Sequence, residues 1–216
     1  SFMRQQVFDK IDAGFDCIKL KIGALDFEVE CQLLAEIRER YPAKDVTLRV
    51  DANGAFSPDE ALEKLKILAE FDLHSIEQPI AAGQHKAMAD LCAKTPLPIA
   101  LDEELIGVLQ HDDKSRLLDN INPQYIILKP SLLGGFAASE AWIGLAEERH
   151  IQWWVTSALE SNVGLNAIAQ WTASLHTSTP QGLGTGSLFT NNIESPLVVA
   201  KGMLHHNNSL TWGYRF

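Results

Sequence analysis

Cysteine is scarce in this sequence of 216 residues: there are three, Cys17, Cys31 and Cys92. Their number is odd and none forms a C-x-x-C pair, which argues against a disulfide framework or a zinc site and predicts a reducing, cytoplasmic setting. Long apolar runs are lacking too. No stretch approaches the roughly 18 apolar residues that a membrane span needs. The opening Ser1-Phe2-Met3-Arg4-Gln5-Gln6 has no apolar core of a secretory leader. Positive charge is in short supply, with 18 Lys and Arg against 28 Asp and Glu, for a net charge of −10. That balance excludes nucleic acid as the main partner, because phosphate contacts need a basic face. It also argues against an anionic membrane surface. No G-x-G-x-x-G follows the first strand and no G-x-x-x-x-G-K-[ST] occurs, so dinucleotide and P-loop readings are weak. What is present is an ordinary globular composition, 46% hydrophobic and 21% charged. It suffices for one domain with a real core.

The pattern along the chain is strand and helix in alternation. Cys17 to Ile22 alternates like a strand with Lys19 and Lys21 on one face. Asp26 to Arg40 reads as a helix on the recurrence of Phe27, Cys31, Leu34 and Ile37. Val46 to Val50 is a strand. Ser57-Pro58-Asp59-Glu60 is a helix start, with a capping Ser57, Pro58 at the first helical position and Glu60 completing a capping box. Further strands are expected at 74–77, 97–101, 125–129, 152–156 and, last and shortest, Gly182-Leu183-Gly184. The helices between them are expected at 86–93, 113–118, 136–149 and 163–176. Strand–helix repetition with short connections means a parallel sheet covered by helices, either doubly wound or a barrel. Near the end, Asn207-Asn208-Ser209 reads as a hairpin turn leading into Leu210-Thr211-Trp212-Gly213-Tyr214. His205-His206 reads as a pair of surface-loop histidines rather than a metal site.

Charged residues sit at strand ends. Lys19 and Lys21 lie in the first strand, and Asp51 ends the second. Glu77 ends the third, Asp102 the fourth and Lys129 the fifth. Any one of these could be a solvated loop residue, and Lys19 could serve only to tune Lys21. Together, Lys21, Asp51, Glu77, Asp102 and Lys129 are spaced by one strand–helix unit each. In a barrel the C-terminal strand ends meet at one mouth, where active sites lie. Three carboxylates cannot share a desolvated mouth without a counterion, and a hard divalent cation bound through oxygen answers that need. Lysines beside such a cation have their charged form disfavoured and can act as bases near neutral pH. The set suits proton abstraction next to a carboxylate, with the metal stabilising the enolate.

The series Lys19-x-Lys21, Asp51-x-Asn53, Glu77-Gln78-Pro79, Asp102-Glu103 and Lys129-Pro130 resembles the enolase superfamily, muconate-lactonizing subgroup. Within it, the segments 128–135, 156–164 and 182–186 are most similar to the o-succinylbenzoate synthase family of menaquinone biosynthesis. The resemblance implies a TIM-type (β/α)7β barrel. It implies Mg²⁺, with Mn²⁺ as a substitute, held by Asp51, Glu77 and Asp102. Lys21 would take the proton α to the carboxylate and help the hydroxyl leave as water. Lys129, opposite, would stabilise the enolate by its charge, and Lys19 would support Lys21 and the substrate carboxylate. Asn53, the Gly134 backbone, Ser157 and Ser161 would be substrate contacts, and Glu160 would stand behind them. The partner would be a small-molecule carboxylate.

The resemblance also implies an N-terminal α+β capping domain and a first barrel strand, and both are absent from these 216 residues. The whole stretch 1–216 is then the catalytic barrel domain, incomplete at its start. Two other functions fit the same residues. One is racemisation or epimerisation of N-acylated amino acids or dipeptides, with a lysine on each face. Against the epimerase, Gly182-Leu183-Gly184-Thr185-Gly186 carries no Asp-x-Asp for a substrate ammonium. Muconate cycloisomerisation is less favoured. The other is a non-catalytic capless fragment or binding scaffold.

Overall fold

A computed structural model of the chain describes residues 2–184 and 189–213. The elements run α1 (Phe2–Asp12), β1 (Cys17–Lys21), α2 (Phe27–Arg40), β2 (Thr47–Asp51), α3 (Pro58–Ala69) and β3 (Ser75–Glu77). They continue with α4 (His85–Lys94), β4 (Ile99–Leu101), a 3₁₀ turn (Glu103–Leu105), α5 (His111–Ile121), β5 (Tyr125–Leu128), α6 (Pro130–Leu133) and α7 (Phe136–Glu147). The chain then forms β6 (Gln152–Val155), α8 (Asn162–Ser174) and the strands β7 (Leu197–Ala200) and β8 (Met203–His206). The first six strands form one parallel sheet in sequence order, the open form of the expected barrel.

Local chemistry sets the element starts. Asp26 accepts from the Glu28 N–H at 2.9 Å and caps α2. Pro58 opens α3, and the Ser57 N–H donates to Glu60 Oε1 at 3.1 Å. The strand period of two then sorts side chains between faces. Ile18, Leu20, Leu48, Val50, Ile76, Ile99 and Leu101 are buried, and they pack in one core with Leu34, Ile37, Leu65 and Leu68 from the covering helices. The register pairs Lys19 with Arg49, Lys21 with Asp51, Arg49 with Ser75 and Asp51 with Glu77. These residues share the opposite face. Ala100, Ile127 and Trp154 form a second small cluster, with Tyr125 packed against it.

Two expectations need correction. The seventh strand reduces to one isolated parallel bridge between Gly182 and Thr156; Leu183 and Gly184 form no strand, and Thr185 and Gly186 lie outside the described residues. A turn does close at 207–210, with the Leu210 N–H on the Asn207 carbonyl at 3.0 Å, but no strand follows it among the described residues, so it is not the hairpin turn. The hairpin turn is at Lys201-Gly202, between β7 and β8, where both residues have positive φ, 51° and 71°. That is the backbone a tight two-residue turn requires. His205 and His206 therefore lie on β8, while Tyr214 is outside the described residues. The hairpin tip packs on the turn between α1 and β1. A Cβ built on Gly14 would stand 2.9 Å from Lys201 Cα, and one built on Gly202 would overlap the Gly14 carbonyl.

All three cysteines are free thiols. No helix among the described residues is long and apolar enough to cross a membrane.

Candidate active site

The strand ends bring the charged set together. Asp51, Glu77 and Asp102 are buried, at 1%, 2% and 2% exposure, although each carries a carboxylate. Lys19 Nζ bridges two of them, donating to Asp51 Oδ2 at 3.0 Å and Glu77 Oε2 at 2.8 Å. Lys21 donates to Asp51 Oδ2 at 3.1 Å and to Asn53 Oδ1. From the other side, Lys129 donates to Asp102 Oδ2, and its Nζ lies 3.7 Å from Glu77 Oε1. The lysines thus enter from β1 and from the end of β5, while the carboxylates belong to the three strands between.

Electrostatics follow from that crowding. Burial, reinforced by Asp102 and Asp51 and opposed by Lys19, pushes the Glu77 carboxyl up to about 8. Burial also works to raise Asp51, but Lys19 and Lys21 outweigh it and hold its carboxyl below the usual range. For Lys19, burial opposes the charge and the Glu77 and Asp51 carboxylates overcome it, so its ammonium stands above the ordinary lysine value. Among the described residues, no group of three or more His, Cys, Asp or Glu side chains stands converged as a ready metal cage. Ammonium groups bridge the carboxylates instead.

The donor set nonetheless fits a hard cation. Glu77 Oε1 is buried without a hydrogen-bond partner, and a buried acceptor left unmet is costly. Glu77, with the buried Asp51 and Asp102 beside it, supplies oxygen donors only, the chemistry that Mg²⁺ and similar ions select.

Of the other expected site residues, Asn53 touches this centre. Asn53, at φ 44°, takes its N–H to Asp51 Oδ1 at 3.0 Å and gives Nδ2 to Glu103 at 2.9 Å, so its side chain links Lys21 to Glu103. Gly134 ends α6 with φ 95°. The buried Ser157 donates its N–H to the Gly182 carbonyl at 3.1 Å. Ser161 precedes α8 and makes no side-chain capping bond. Glu160 accepts from Ser131 Oγ at 2.6 Å, which ties the β6 loop to α6.

Three buried polar residues have no role in the sequence reading. Gln78 and Glu104 form a network behind Glu77 and Asp102. Arg49 lies on the inner face below Lys19, its guanidinium 3.9 Å over the Trp154 ring, with one donor on the Pro180 carbonyl at 3.1 Å. Gln78 had a signal in Glu77-Gln78-Pro79, whereas Arg49 had only its place two residues before Asp51. A cavity of about 700 Å³ lies between β1, α8 and the β7–β8 hairpin. Lys19, Arg49, Trp154 and Thr156 line it, but Lys21 and the carboxylates do not, so it adjoins the charged centre without containing it.

Known proteins share the sequence and fold of this chain. An o-succinylbenzoate synthase from Desulfotalea psychrophila is 59% identical over 204 residues, covering 94% of this chain and 55% of the relative. The crystal structure titled MenC from the same organism superposes with a TM-score of 0.90 at 58% identity, covering 94% of this chain and 56% of that one. An N-succinylamino acid racemase from Thermus thermophilus is 36% identical over 156 residues, covering 71% of this chain and 39% of the relative. The chain spans about half the length of the curated relatives it matches, 55% in the first case. The family pattern described as "Enolase C-terminal domain-like" matches residues 3–213, and the chain belongs to that family.

Proposed function

We propose that these residues are the chemical part of a divalent-metal-dependent lyase of the o-succinylbenzoate synthase type. It would convert 2-succinyl-6-hydroxy-2,4-cyclohexadiene-1-carboxylate to 2-succinylbenzoate and water, in menaquinone biosynthesis. The observation that carries the reading is the flanking of buried Asp51, Glu77 and Asp102 by Lys19 and Lys21 on one side and Lys129 on the other. The relative of that name at 59% identity supports it. Because the chain covers 55% of that relative, the activity is assigned to a protein of the relative's full extent.

Asp51, Glu77 and Asp102 would hold the cation, with Mg²⁺ the natural choice for oxygen donors and Mn²⁺ an acceptable one. When bound, it supplies positive charge to the substrate carboxylate, making the adjacent C–H more acidic. Lys21, as the free amine, takes that proton and becomes ammonium. The same ammonium then gives the proton to the departing hydroxyl, so water leaves and the free amine returns. Lys129 keeps its proton and places its charge against the negative charge that develops on the substrate. Lys19, anchored on Asp51 and Glu77, holds the first lysine's surroundings positive and faces the substrate carboxylate. Asn53, the Gly134 backbone, Ser157 and Ser161 are the proposed substrate contacts.

The test is direct. The full-length protein should consume the cyclohexadiene absorbance with Mg²⁺, lose activity on chelation and recover it on re-addition. Turnover indifferent to divalent metal would overturn the reading. A second reading, racemisation of N-succinylated amino acids, is supported by the 36% identical racemase and by lysines on both flanks. It requires Lys129 as an acid and base, and solvent deuterium would then enter the α-carbon from both faces.

A further inference from the structure

Gln78 is 1% exposed and adopts a left-handed backbone, φ 39°, immediately after Glu77. Every hydrogen-bonding position of its amide is taken. Oε1 accepts from the Asp102 N–H at 3.2 Å and from the Glu104 N–H at 3.4 Å. Nε2 donates to the Ile80 carbonyl at 3.0 Å and to Glu104 Oε2 at 3.0 Å. Glu104, 4% exposed, completes the arrangement. Its Oε1 accepts from the Gly83 N–H at 2.8 Å and lies 3.0 Å from Nε2 of the half-exposed His85. One amide and one carboxylate thus clamp the end of β3, the following loop and the end of β4. Neither side chain bonds to Lys19, Lys21 or Lys129.

We infer that Gln78 and Glu104 are positioning residues that set the separation of the Glu77 and Asp102 carboxylates and so the affinity for the divalent cation. The inference rests on the proposed metal role of those carboxylates. The reason is geometric. β3 and β4 pair only at Ile76 with Ile99 and Glu77 with Ala100, the Gln78 N–H adds one bond to the Ala100 carbonyl at 3.0 Å, and Asp102 lies two residues beyond Ala100. The β3–β4 ladder stops short of Asp102, and the Gln78 side-chain amide makes the next tie by accepting from the Asp102 N–H. Glu104→Gln keeps the shape but sets an amide N–H against either Gln78 Nε2 or the Gly83 N–H, so one strand-end tie must break.

The experiment uses the full-length protein with Mg²⁺ or Mn²⁺ as the only ligand. Calorimetric titration should show the Mg²⁺ dissociation constant of Glu104→Gln weakened by about 10- to 100-fold, the range typical of residues that orient metal ligands. The paramagnetic resonance spectrum of bound Mn²⁺ should change as the carboxylates shift. Leu68→Val, in the buried face of α3, is the control for stability alone. It should lower the melting temperature while leaving affinity and spectrum unchanged. Should Glu104→Gln fail to melt cooperatively, Glu104→Asp, which keeps the charge and shortens its reach, carries the same expectation. A cooperatively melting variant with affinity within twofold of the parent and an unchanged spectrum would overturn the inference. A parent protein that binds neither cation would overturn the metal reading itself, and the inference with it.

Discussion

The three central strands β2 to β4 and the strands on either side of them treat charge in opposite ways. The central ends carry Asp51, Glu77 and Asp102, all at most 2% exposed, and bind them into the backbone through Asn53, Gln78 and Glu104. The flanking ends carry Lys21, whose side chain is 68% exposed, Lys19 at 35% and Lys129 at 18%. β1 is paired on one side only, with β2. The contrast separates a fixed frame of carboxylates, braced by Lys19 and Lys129, from the one exposed lysine proposed to move a proton, Lys21. A carboxylate that must hold a geometry benefits from burial and fully used neighbours, whereas Lys21 is held only by Asp51 and Asn53 at its tip, with most of its stem in solvent.

The strongest test of that division is Lys21→Ala. Turnover should fall by about 10²- to 10⁴-fold, the usual contribution of a positioned acid–base group. Mg²⁺ affinity should stay within a few-fold and the melting temperature close to the parent's. An equal collapse of metal binding would erase the distinction between frame and reagent. A smaller effect is expected from the sheet itself. Ile76→Ala, fully buried in β3, should cost about 2–5 kcal/mol in denaturant unfolding. Ile18→Ala in the edge strand β1 should cost at least about 1 kcal/mol less, since among the described strands only β2 pairs with β1 and fewer neighbours hold its surroundings in place. Equal costs would show that the edge is as tightly packed as the centre.

The smallest effect concerns the foot of the same sheet. His74 sits against the Tyr125 and Trp154 rings, at centroid distances of 4.9 and 5.9 Å, with Nδ1 2.9 Å from Ser75 Oγ. Burial first, and the Arg49 charge second, lower it from 6.5 to about 4. The folded state therefore keeps His74 neutral where the unfolded chain takes up a proton. Its contribution is complete above pH 6.5 and is lost as pH falls from 6.5 to 4. Allowing for solvent screening of a partly exposed ring, the loss is about 1–2 kcal/mol. Glu77 titrates with the opposite sign, so the quantity to measure is the difference in unfolding free energy between parent and His74→Gln across that window. A constant difference would remove His74 from the account.

Much of the frame could be read in the sequence because both halves of the pattern are periodic. Alternation located β1 to β6, and the charge ending each run gave Asp51, Glu77, Asp102 and Lys129 their common mouth. The Ser57 to Glu60 capping box starts α3 where the residues say it should. What was not legible depends on contacts between strands. Gln78 and Glu104 look like ordinary polar loop residues until the β3 and β4 ends are side by side. Arg49 reads as a surface charge until register places it over Trp154. The hairpin misreading has a local cause: Asn207-Asn208-Ser209 is richer in turn residues than Lys201-Gly202, yet the left-handed pair at 201–202 makes the turn. Gly182 fails to continue as a strand for a different reason. Its single bridge to Thr156 is followed by glycine at 184, which adds no side chain to pack.

The meeting of Gly14 with the Lys201-Gly202 tip has an evolutionary consequence. Each glycine occupies left-handed backbone; a Cβ on Gly14 would collide with the Lys201 backbone, and one on Gly202 with the Gly14 carbonyl. Neither position can drift alone, and a side chain gained at one cannot be accommodated by a change at the other, which is already as small as a residue can be. The two sites are sterically tied to one another although they lie near opposite ends of the described chain. Insertions and length changes in this lineage should accordingly collect away from that junction, in the exposed loops beyond the strand ends.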